Sequence, residues 1–480
     1  MDDAPLTRLH WKVWFLSAMG IFLDGFDLFI IGVAMPLINE NWKPEPWQTG
    51  AIGVAAVLGA ALGAVTAGWL TDKFGRKKFY VADLAFCMLA AALTALSWDI
   101  YSLIAFRFIL GVGIGADYPI CASFISEFMP ARIRGRMIIS GFCFQALGML
   151  SAALAGLLIL TLMPTSGEAW RLMLMIVVVP AAVVLIFRLG VPESPRWLIS
   201  HRDDTHRAAG IIHMLVPAKK HEIEKILSSE KKEIQKSSGK ELGYRELFTA
   251  KYLPRTVLAA VPWFLMDIAT YGIGVFTPMI FKDTVESGNL SVMDAAFRAA
   301  KEAAVVDAFL IAGFMLNLIF VERIGRIKLQ TLGFAGMTAG LLVLSAALSL
   351  PGGGAGNLHL VLAGFVIFNL TMNAGPNATT FMLPVELFPT KIRGSGHGFA
   401  AAAAKAGAAF GVFFLPVMQA FCGVGNVMII IAGVCVLAGV VTWIFKVETR
   451  GRSLDELEPW EAGAAFDEFE KSPARRAQSA

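Results

Sequence analysis

The chain has 480 residues, of which 56% are hydrophobic and 16% charged, with a mean hydropathy of +0.64. Globular chains carry about 25% charged residues, so this composition argues against a soluble multi-domain enzyme. A net charge of +4 is too small to imply a nucleic-acid partner, and it agrees with basic residues gathered on one membrane face.

At roughly 20 apolar residues per helix, the length holds about twelve spans and one larger polar insertion. In chain order the apolar runs fall at 14–37, 50–71, 79–97, 101–126, 137–162, 172–190, 256–281, 304–321, 327–349, 358–383, 395–419 and 424–446. Arg8, His10 and Lys12 lead into the first run, which is too long for the core of a cleaved leader and reads as a span. The one long polar stretch, 192–254, contains a helical-looking charged piece from Ala218 to Lys236. The expected organisation is an N-terminal six-helix half over 1–190, a central loop over 191–255, a C-terminal six-helix half over 256–447 and a tail over 448–480. Cys87, Cys121, Cys143, Cys422 and Cys435 lie in apolar stretches without metal-type spacing and read as small hydrophobes. Neither a metal nor a cofactor is expected.

Basic residues choose the orientation, because Lys and Arg in short loops stay on the cytoplasmic side. Lys73, Arg76, Lys77 and Lys78 follow the second span, Arg132, Arg134 and Arg136 the fourth, Arg323, Arg326 and Lys328 the eighth, and Lys391 and Arg393 the tenth. All of these connections are even-numbered, which predicts cytoplasmic termini and a cytoplasmic central loop. The loop after the seventh span carries mixed charge and the formal glycosylation sequon Asn289-Leu290-Ser291.

Internal repetition is the strongest organisational signal. Asp72-Lys73-Phe74-Gly75-Arg76 recurs as Glu322-Arg323-Ile324-Gly325-Arg326, and Glu127-Phe128-Met129-Pro130-Ala131-Arg132-Ile133-Arg134-Gly135 as Glu386-Leu387-Phe388-Pro389-Thr390-Lys391-Ile392-Arg393-Gly394. A weaker pair is Glu193-Ser194-Pro195-Arg196 against Glu448-Thr449-Arg450-Gly451. Two parallel six-span halves follow. The stretch Gly68-Trp69-Leu70-Thr71-Asp72-Lys73-Phe74-Gly75-Arg76-Lys77 resembles the loop motif of the major facilitator superfamily, and Pro192-Glu193-Ser194-Pro195-Arg196-Trp197-Leu198 looks like the motif its sugar-porter-related branch carries after span six. The resemblance implies an all-α membrane protein of twelve helices in two pseudo-symmetric bundles. It also implies a latch for alternating access built from Asp72, Arg76, Glu127, Arg134, Glu322, Arg326, Glu386 and Arg393.

An ionisable residue at a span centre costs about 2.5–3.5 kcal/mol on insertion scales, so those inside the apolar runs need a reason. The acids are Asp24, Asp27, Asp83, Asp117 and Asp267, and the bases are Arg107 and Lys405. Asp27 with Arg107 reads either as a structural ion pair or as part of a functional set. Two bases cannot neutralise five acids, so some carboxylates carry protons or meet water, as proton coupling requires. The glycines Gly111, Gly113 and Gly115 lie inside a span with no preceding strand, and serve helix packing instead of a nucleotide loop.

The segment from Gly115 to Glu127 is similar to the signature of the phosphate:proton symporter family. Asp117, Tyr118, Pro119, Ser126 and Glu127 match that signature; Ala116, Cys121, Phe124 and Ile125 depart from it. In span seven, Trp263, Asp267 and Tyr271 stand at i, i+4 and i+8 on one helical face. Asn373-Ala374-Gly375-Pro376-Asn377 breaks span ten, and Lys405 lies in an alanine run. The resemblance implies that Tyr118, Gln145, Trp263, Asp267, Tyr271, Asn373 and Lys405 bind a small anion, phosphate above all. Asp24 or Asp27, with Asp83 and Asp117, would form the proton path.

The competing reading is a carrier of the same fold for an organic acid or a sugar, since Asp24-Gly25-Phe26-Asp27 resembles the span-one motif of aromatic-acid:proton symporters. A non-transporting sensor and a membrane enzyme are weaker alternatives. His397, near the start of span eleven, is the one histidine worth a mutation test. The expected partners are the small anion, protons and the bilayer of a cell membrane, with the protein acting as a monomer.

Overall fold

The computed structural model describes residues 5–163, 167–202, 204–216, 243–282, 309–351, 356–452 and 454, and among these all regular structure is helical. The helices are α1 (Arg8–Trp42), α2 (Pro46–Phe74), α3 (Arg76–Ala95), α4 (Ile100–Phe128), α5 (Arg134–Leu162) and α6 (Ala169–Leu189, interrupted at 176–177). The second set is α7 (Leu253–Lys282), α8 (309–324), α9 (Arg326–Ser349), α10 (Leu358–Ala374 and Pro376–Leu387), α11 (Arg393–Gln419) and α12 (Phe421–Ile444). Eleven described helices are long and apolar enough to cross a membrane. The twelfth, α8, has part of its expected run outside the described residues. So do the charged piece 218–236, the Asn289 sequon and nearly all of the tail.

The apolar runs located the helices, but polar turns extend some of them. The first run of 14–37 lies inside a helix of Arg8–Trp42, because Arg8 to Lys12 and Glu40 to Trp42 continue the same backbone beyond the apolar part. Asp99 starts α4: its carboxylate accepts from the Ser102 amide at 2.7 Å, while the Ser102 hydroxyl oxygen accepts from the Asp99 amide at 3.0 Å.

The glycines of α2 and α4 allow those helices to touch backbone to backbone. A methyl group at Gly63 would lie 1.8 Å from the Val112 carbonyl oxygen, and one at Gly115 would lie 1.9 Å from that of Ala60. This is the packing role expected of the span-four glycines. The break in α10 falls at Gly375 (φ −130°, ψ −100°), between Ala374 and Pro376. Asn317 of α8 donates to the carbonyls of Ala374 (2.8 Å) and Gly375 (3.4 Å), which satisfies oxygens that the break releases from the helix.

The two sets of helices meet along α2 and α11. A methyl at Gly398 would stand 2.2 Å from the Ala64 carbonyl oxygen, and one at Gly68 would stand 2.4 Å from that of Gly394. They also meet through aromatic contacts of α4 and α5 with α10, including a stacked pair of Phe142 and Phe381 with centroids 4.2 Å apart.

Candidate functional site

A polar cluster lies where the two bundles face each other. Lys405 of α11 is 5% exposed, so its ammonium needs partners inside the protein. Nζ donates to Asp267 Oδ2 at 3.3 Å and to Tyr271 Oη at 3.1 Å, both on α7 one helical turn apart. It also sits 5.2 Å from the ring centre of Tyr118 on α4 and 5.0 Å from that of Tyr271, a cation held over two phenols. Gln145 of α5 donates from Nε2 to Tyr118 Oη at 2.6 Å. Residues from four helices, two in each bundle, thus converge on one buried ammonium. Such a cluster can present phenol and amide hydrogens and one positive charge to an anion.

Trp263, one turn before Asp267, packs edge-on against Phe381 (6.1 Å) and His397 (5.5 Å). Phe381 touches Tyr118, Phe142, Trp263 and His397, which makes an aromatic layer beside the ionic cluster. The sequence reading missed Phe381; a lone Phe after a helix break carries no signal by itself. His397 is fully buried, with Nε2 on the Phe381 carbonyl at 3.0 Å. Asn373 spends its amide within its own helix, donating to the Asn369 carbonyl (2.9 Å) and accepting from Asn377 (2.7 Å), so it makes no hydrogen bond to the Lys405 group.

A second cluster fills the N-terminal bundle. Asp24 and Asp27 of α1, Asp83 of α3 and Asp117 of α4 line a cavity of about 10 Å³, the space of about one water molecule. Neighbours in the signature part company here: Asp117 turns into this bundle, whereas Tyr118 faces the interface. One of the two readings of Asp27 with Arg107 falls away, and the count of bases is corrected. Arg107 reaches α1 through the Asp27 backbone carbonyl, with Nη1 at 3.0 Å, and forms no carboxylate ion pair there. The count of two bases also omitted Arg188 of α6, which is fully buried and pairs with Asp117 at 3.2 Å. Three cations therefore face the five acids. Arg188 lies inside the expected run 172–190 and escaped notice beside the basic loop that follows it.

The third region is the basic end of the molecule. Arg76, fully buried, donates from Nη1 to Asp72 (2.5 Å) and Thr71 (3.2 Å), and from Nη2 to Glu127 (3.1 Å) and the Thr390 carbonyl (3.0 Å). Arg393 joins Glu127 at 3.0 Å. Asp72 also accepts from the amides of Gly394 (3.0 Å) and Ser395 (2.6 Å) and from the Ser395 hydroxyl (2.7 Å). These donors are the first turn of α11, where the positive end of the helix favours a carboxylate. In the other half, Arg326 holds Glu322 (2.6 Å) and Glu386 (3.3 Å), and Thr449 donates to Glu386 at 2.5 Å. Arg134, also buried, donates to the Arg452 carbonyl at 3.4 Å.

The weak third repeat has a clear job in this region. Glu193 accepts from the first amides of α3, Arg76 (3.1 Å) and Lys77 (3.1 and 3.2 Å), and Glu448 accepts from the first amides of α9, Arg326 and Ile327 (both 3.1 Å). Both helices start right after a glycine with positive φ, Gly75 (112°) and Gly325 (94°). A methyl at either glycine would meet the capping carboxylate at 2.6 Å. Glycine is needed there twice over, for the backbone angle and for the approach of the acid. Burial pushes the Glu193 carboxyl above the usual carboxylate range, against the pull of the Ser194 and Lys77 amides.

The sequence family described as "Sugar (and other) transporter" matches residues 13–460. The chain is 33% identical to "Probable inorganic phosphate transporter 1-9" of Arabidopsis thaliana, with 95% of this chain and 94% of that one covered. It is 30% identical to "Low affinity inorganic phosphate transporter 4" of Medicago truncatula, over 95% of this chain and 93% of that one. Among solved structures it is similar to the proton:xylose symporter XylE bound to 6-bromo-6-deoxy-D-glucose, a protein of the major facilitator superfamily. The TM-score is 0.79 at 21% identity, with 94% of this chain and 98% of that one covered. A partially occluded inward open conformation of the xylose transporter XylE from E. coli gives a TM-score of 0.69 at 19% identity, over 93% of this chain and 100% of that one.

Proposed function

The chain belongs to the sugar (and other) transporter family on the twelve-helix major facilitator fold, and we propose that it is a proton-coupled symporter of inorganic phosphate working by alternating access. It is a transporter and not an enzyme. The observation that carries the choice of substrate is the buried Lys405, held by Asp267 and Tyr271 and roofed by Tyr118 at the interface of the bundles. A sugar is neutral and offers the ammonium no second countercharge beside Asp267. An oxyanion supplies one, together with oxygens for the hydrogens of Tyr118, Gln145, Trp263, Tyr271 and Asn373. The names of the relatives agree with an oxyanion.

Phosphate and the Asp267 carboxylate compete for Lys405. Both fit only with a proton between them, carried by Asp267 or by a phosphate hydroxyl. Asp24, Asp27, Asp83 and Asp117 form the proton path. They outnumber the two guanidinium groups of Arg107 and Arg188 in their bundle, so bound protons lower the cost of their burial. Once substrate and proton are aboard, the Asp72–Arg76–Glu127–Arg393 latch opens and the basic face parts. Taken with the basic loops, this reading makes that face cytoplasmic, with both termini there, in the cell membrane of a monomeric carrier. The halves divide at 1–190 and 256–447, joined by the loop 191–255 and followed by the tail 448–480.

The test is uptake of labelled phosphate into proteoliposomes, with xylose and benzoate as competitors. Wild type should accumulate phosphate under an inward proton gradient and resist both competitors. Lys405→Ala and Asp267→Asn should each lower uptake by about thirtyfold or more, because truncating one partner of a buried charge pair costs about 2–5 kcal/mol. Competition by benzoate without uptake of phosphate would transfer the site to an organic acid.

A further inference from the structure

Arg188 is a fully buried cation that belongs neither to the substrate site nor to the latch, and, unlike Arg107, it holds a carboxylate directly. Its guanidinium donates to the carbonyls of Tyr80 on α3 (2.9 Å) and Leu16 on α1 (3.3 Å), and to Asp117 Oδ1 on α4 (3.2 and 3.3 Å). It lies 4.0 Å from the ring centre of Tyr80, and that ring stacks on Phe124 at 4.7 Å. The Cys121 thiol lies 3.1 Å from both Asp117 oxygens and 3.5 Å from Nη2 of Arg188. α1 crosses directly above the pair: a methyl at Gly20 would stand 1.9 Å from Arg188 Nη2 and 2.6 Å from Asp117 Oδ2. Tyr80 of α3 and Cys121 of α4 touch Arg188 itself, and Asp24 and Asp27 of α1 with Asp83 and Cys87 of α3 line the small cavity together with its partner Asp117. Asp24 keeps one buried oxygen, Oδ2, without a partner.

Two of the acceptors of Arg188 are backbone carbonyls, which do not titrate, and a third contact is a ring. Only its bond to Asp117 can be broken by a proton. The cation is therefore anchored to three helices with one exchangeable partner among them. Resting on the proton-coupled reading above, we propose that Arg188 is a coupling residue. It and the transported proton compete for the Asp117 carboxylate, and its bonds to α1 and α3 carry the outcome of that competition to those helices. When the proton arrives from the aqueous side it settles on Asp117, and the guanidinium gives up that oxygen while keeping its carbonyls. Its charge then falls to Asp24 and Asp83 across the small cavity. When the proton leaves, the ion pair re-forms. Arg188 touches no substrate; it acts by positioning Asp117 and by setting which carboxylate is free.

Proteoliposomes separate this role from a structural one by comparing two modes of the same carrier. Phosphate exchange at equal pH needs the alternating cycle but no net proton movement, whereas accumulation under a proton gradient needs coupling. Arg188→Gln should cut accumulation by about tenfold or more, the loss expected when a buried charge loses its partner, and leave exchange within about threefold of wild type. Arg188→Lys, which keeps the charge, should recover part of the accumulation. In an Asp117→Asn background, the further change Arg188→Gln should alter exchange little, because the two residues act as one unit. This double variant removes both members of the Arg188–Asp117 pair together, so neither is left facing a missing partner, and it decides the matter if Arg188→Gln alone does not reach the membrane. Equal loss of exchange and accumulation in Arg188→Gln, or an added loss of exchange in the double variant, overturns the proposal in favour of a structural arginine. A wild type that neither exchanges nor accumulates phosphate overturns the substrate reading instead.

Discussion

The basic ends of the two bundles are written with the same three repeats but are wired differently. In both, an acid precedes a glycine of positive φ, a buried arginine follows, and a distant glutamate caps the next helix. Asp72 continues across the interface to the first turn of α11, and Arg76 with Arg393 ties Glu127 to the same region. Glu322 accepts from Arg326 alone among the described residues, and the Arg326–Glu386–Thr449 chain stays inside its own bundle. Glutamate is one methylene longer than aspartate and reaches forward across Gly325 to both Nη atoms of Arg326, the first residue of α9. The shorter Asp72 leaves part of its carboxylate for donors from the opposite bundle. The first copy bonds its acid across the interface, whereas the second keeps its acid's hydrogen bonds within one half and meets the other half by packing, Gly135 of α5 lying against Glu322 and Arg326.

That contrast predicts unequal responses to equivalent changes. The largest is expected for Asp72→Asn. It removes one partner of a buried ion pair and weakens the contacts to α11, worth about 3–5 kcal/mol against the closed basic face. Spin labels on the basic ends of α2 and α11 should then show a longer distance in most molecules. Glu322→Gln should cost about 1.5–3 kcal/mol, the range for hydrogen bonds to a charged group. It should appear as a lower melting temperature while the same labelled distance stays unchanged. An opening as large as that of Asp72→Asn would erase the distinction between the two copies.

The smallest effect is expected at the cap. Glu193→Gln should cost about 1 kcal/mol, the scale of one hydrogen bond, because the amide has a single acceptor oxygen for the Arg76 and Lys77 amides. Because burial raises the Glu193 carboxyl above its ordinary value, its titration adds stability that is complete in acid and lost as pH rises through the raised value. The melting-temperature gap between wild type and Glu193→Gln should therefore be wider in acid than at neutral pH. A gap that widens on raising the pH would reverse the sign assigned to this carboxyl.

How much could be read beforehand follows from what each signal depends on. Apolar length and repetition are local, so the spans, the two bundles and the ion-paired residues of the basic end were legible. Trp263, Asp267 and Tyr271 shared a face by helical spacing alone. That Lys405 meets two of them, and that Tyr118 meets Gln145, rested on the family resemblance, because α4, α5, α7 and α11 converge only in three dimensions. Arg188 was hidden by its address: an arginine four residues before Pro192 looks like topology until α6 turns it toward Asp117. Opposite charge left Asp27 with Arg107 open as an ion pair, a rule blind to the backbone carbonyl of Asp27 that Arg107 uses instead. The capping by Glu193 and Glu448 was visible only as a faint third repeat. Its meaning needed the positive φ of Gly75 and Gly325.

Whether phosphate and proton cross together can be read in one trace. Vesicles carrying the protein and an internal pH-sensitive dye, with membrane potential clamped and pH equal on both sides, are given a pulse of external phosphate. The account predicts internal acidification that starts with the pulse, scales with phosphate uptake, and disappears in Lys405→Ala. Phosphate uptake with no proton-carrier-sensitive acidification, or acidification evoked by xylose or benzoate but not by phosphate, would contradict it.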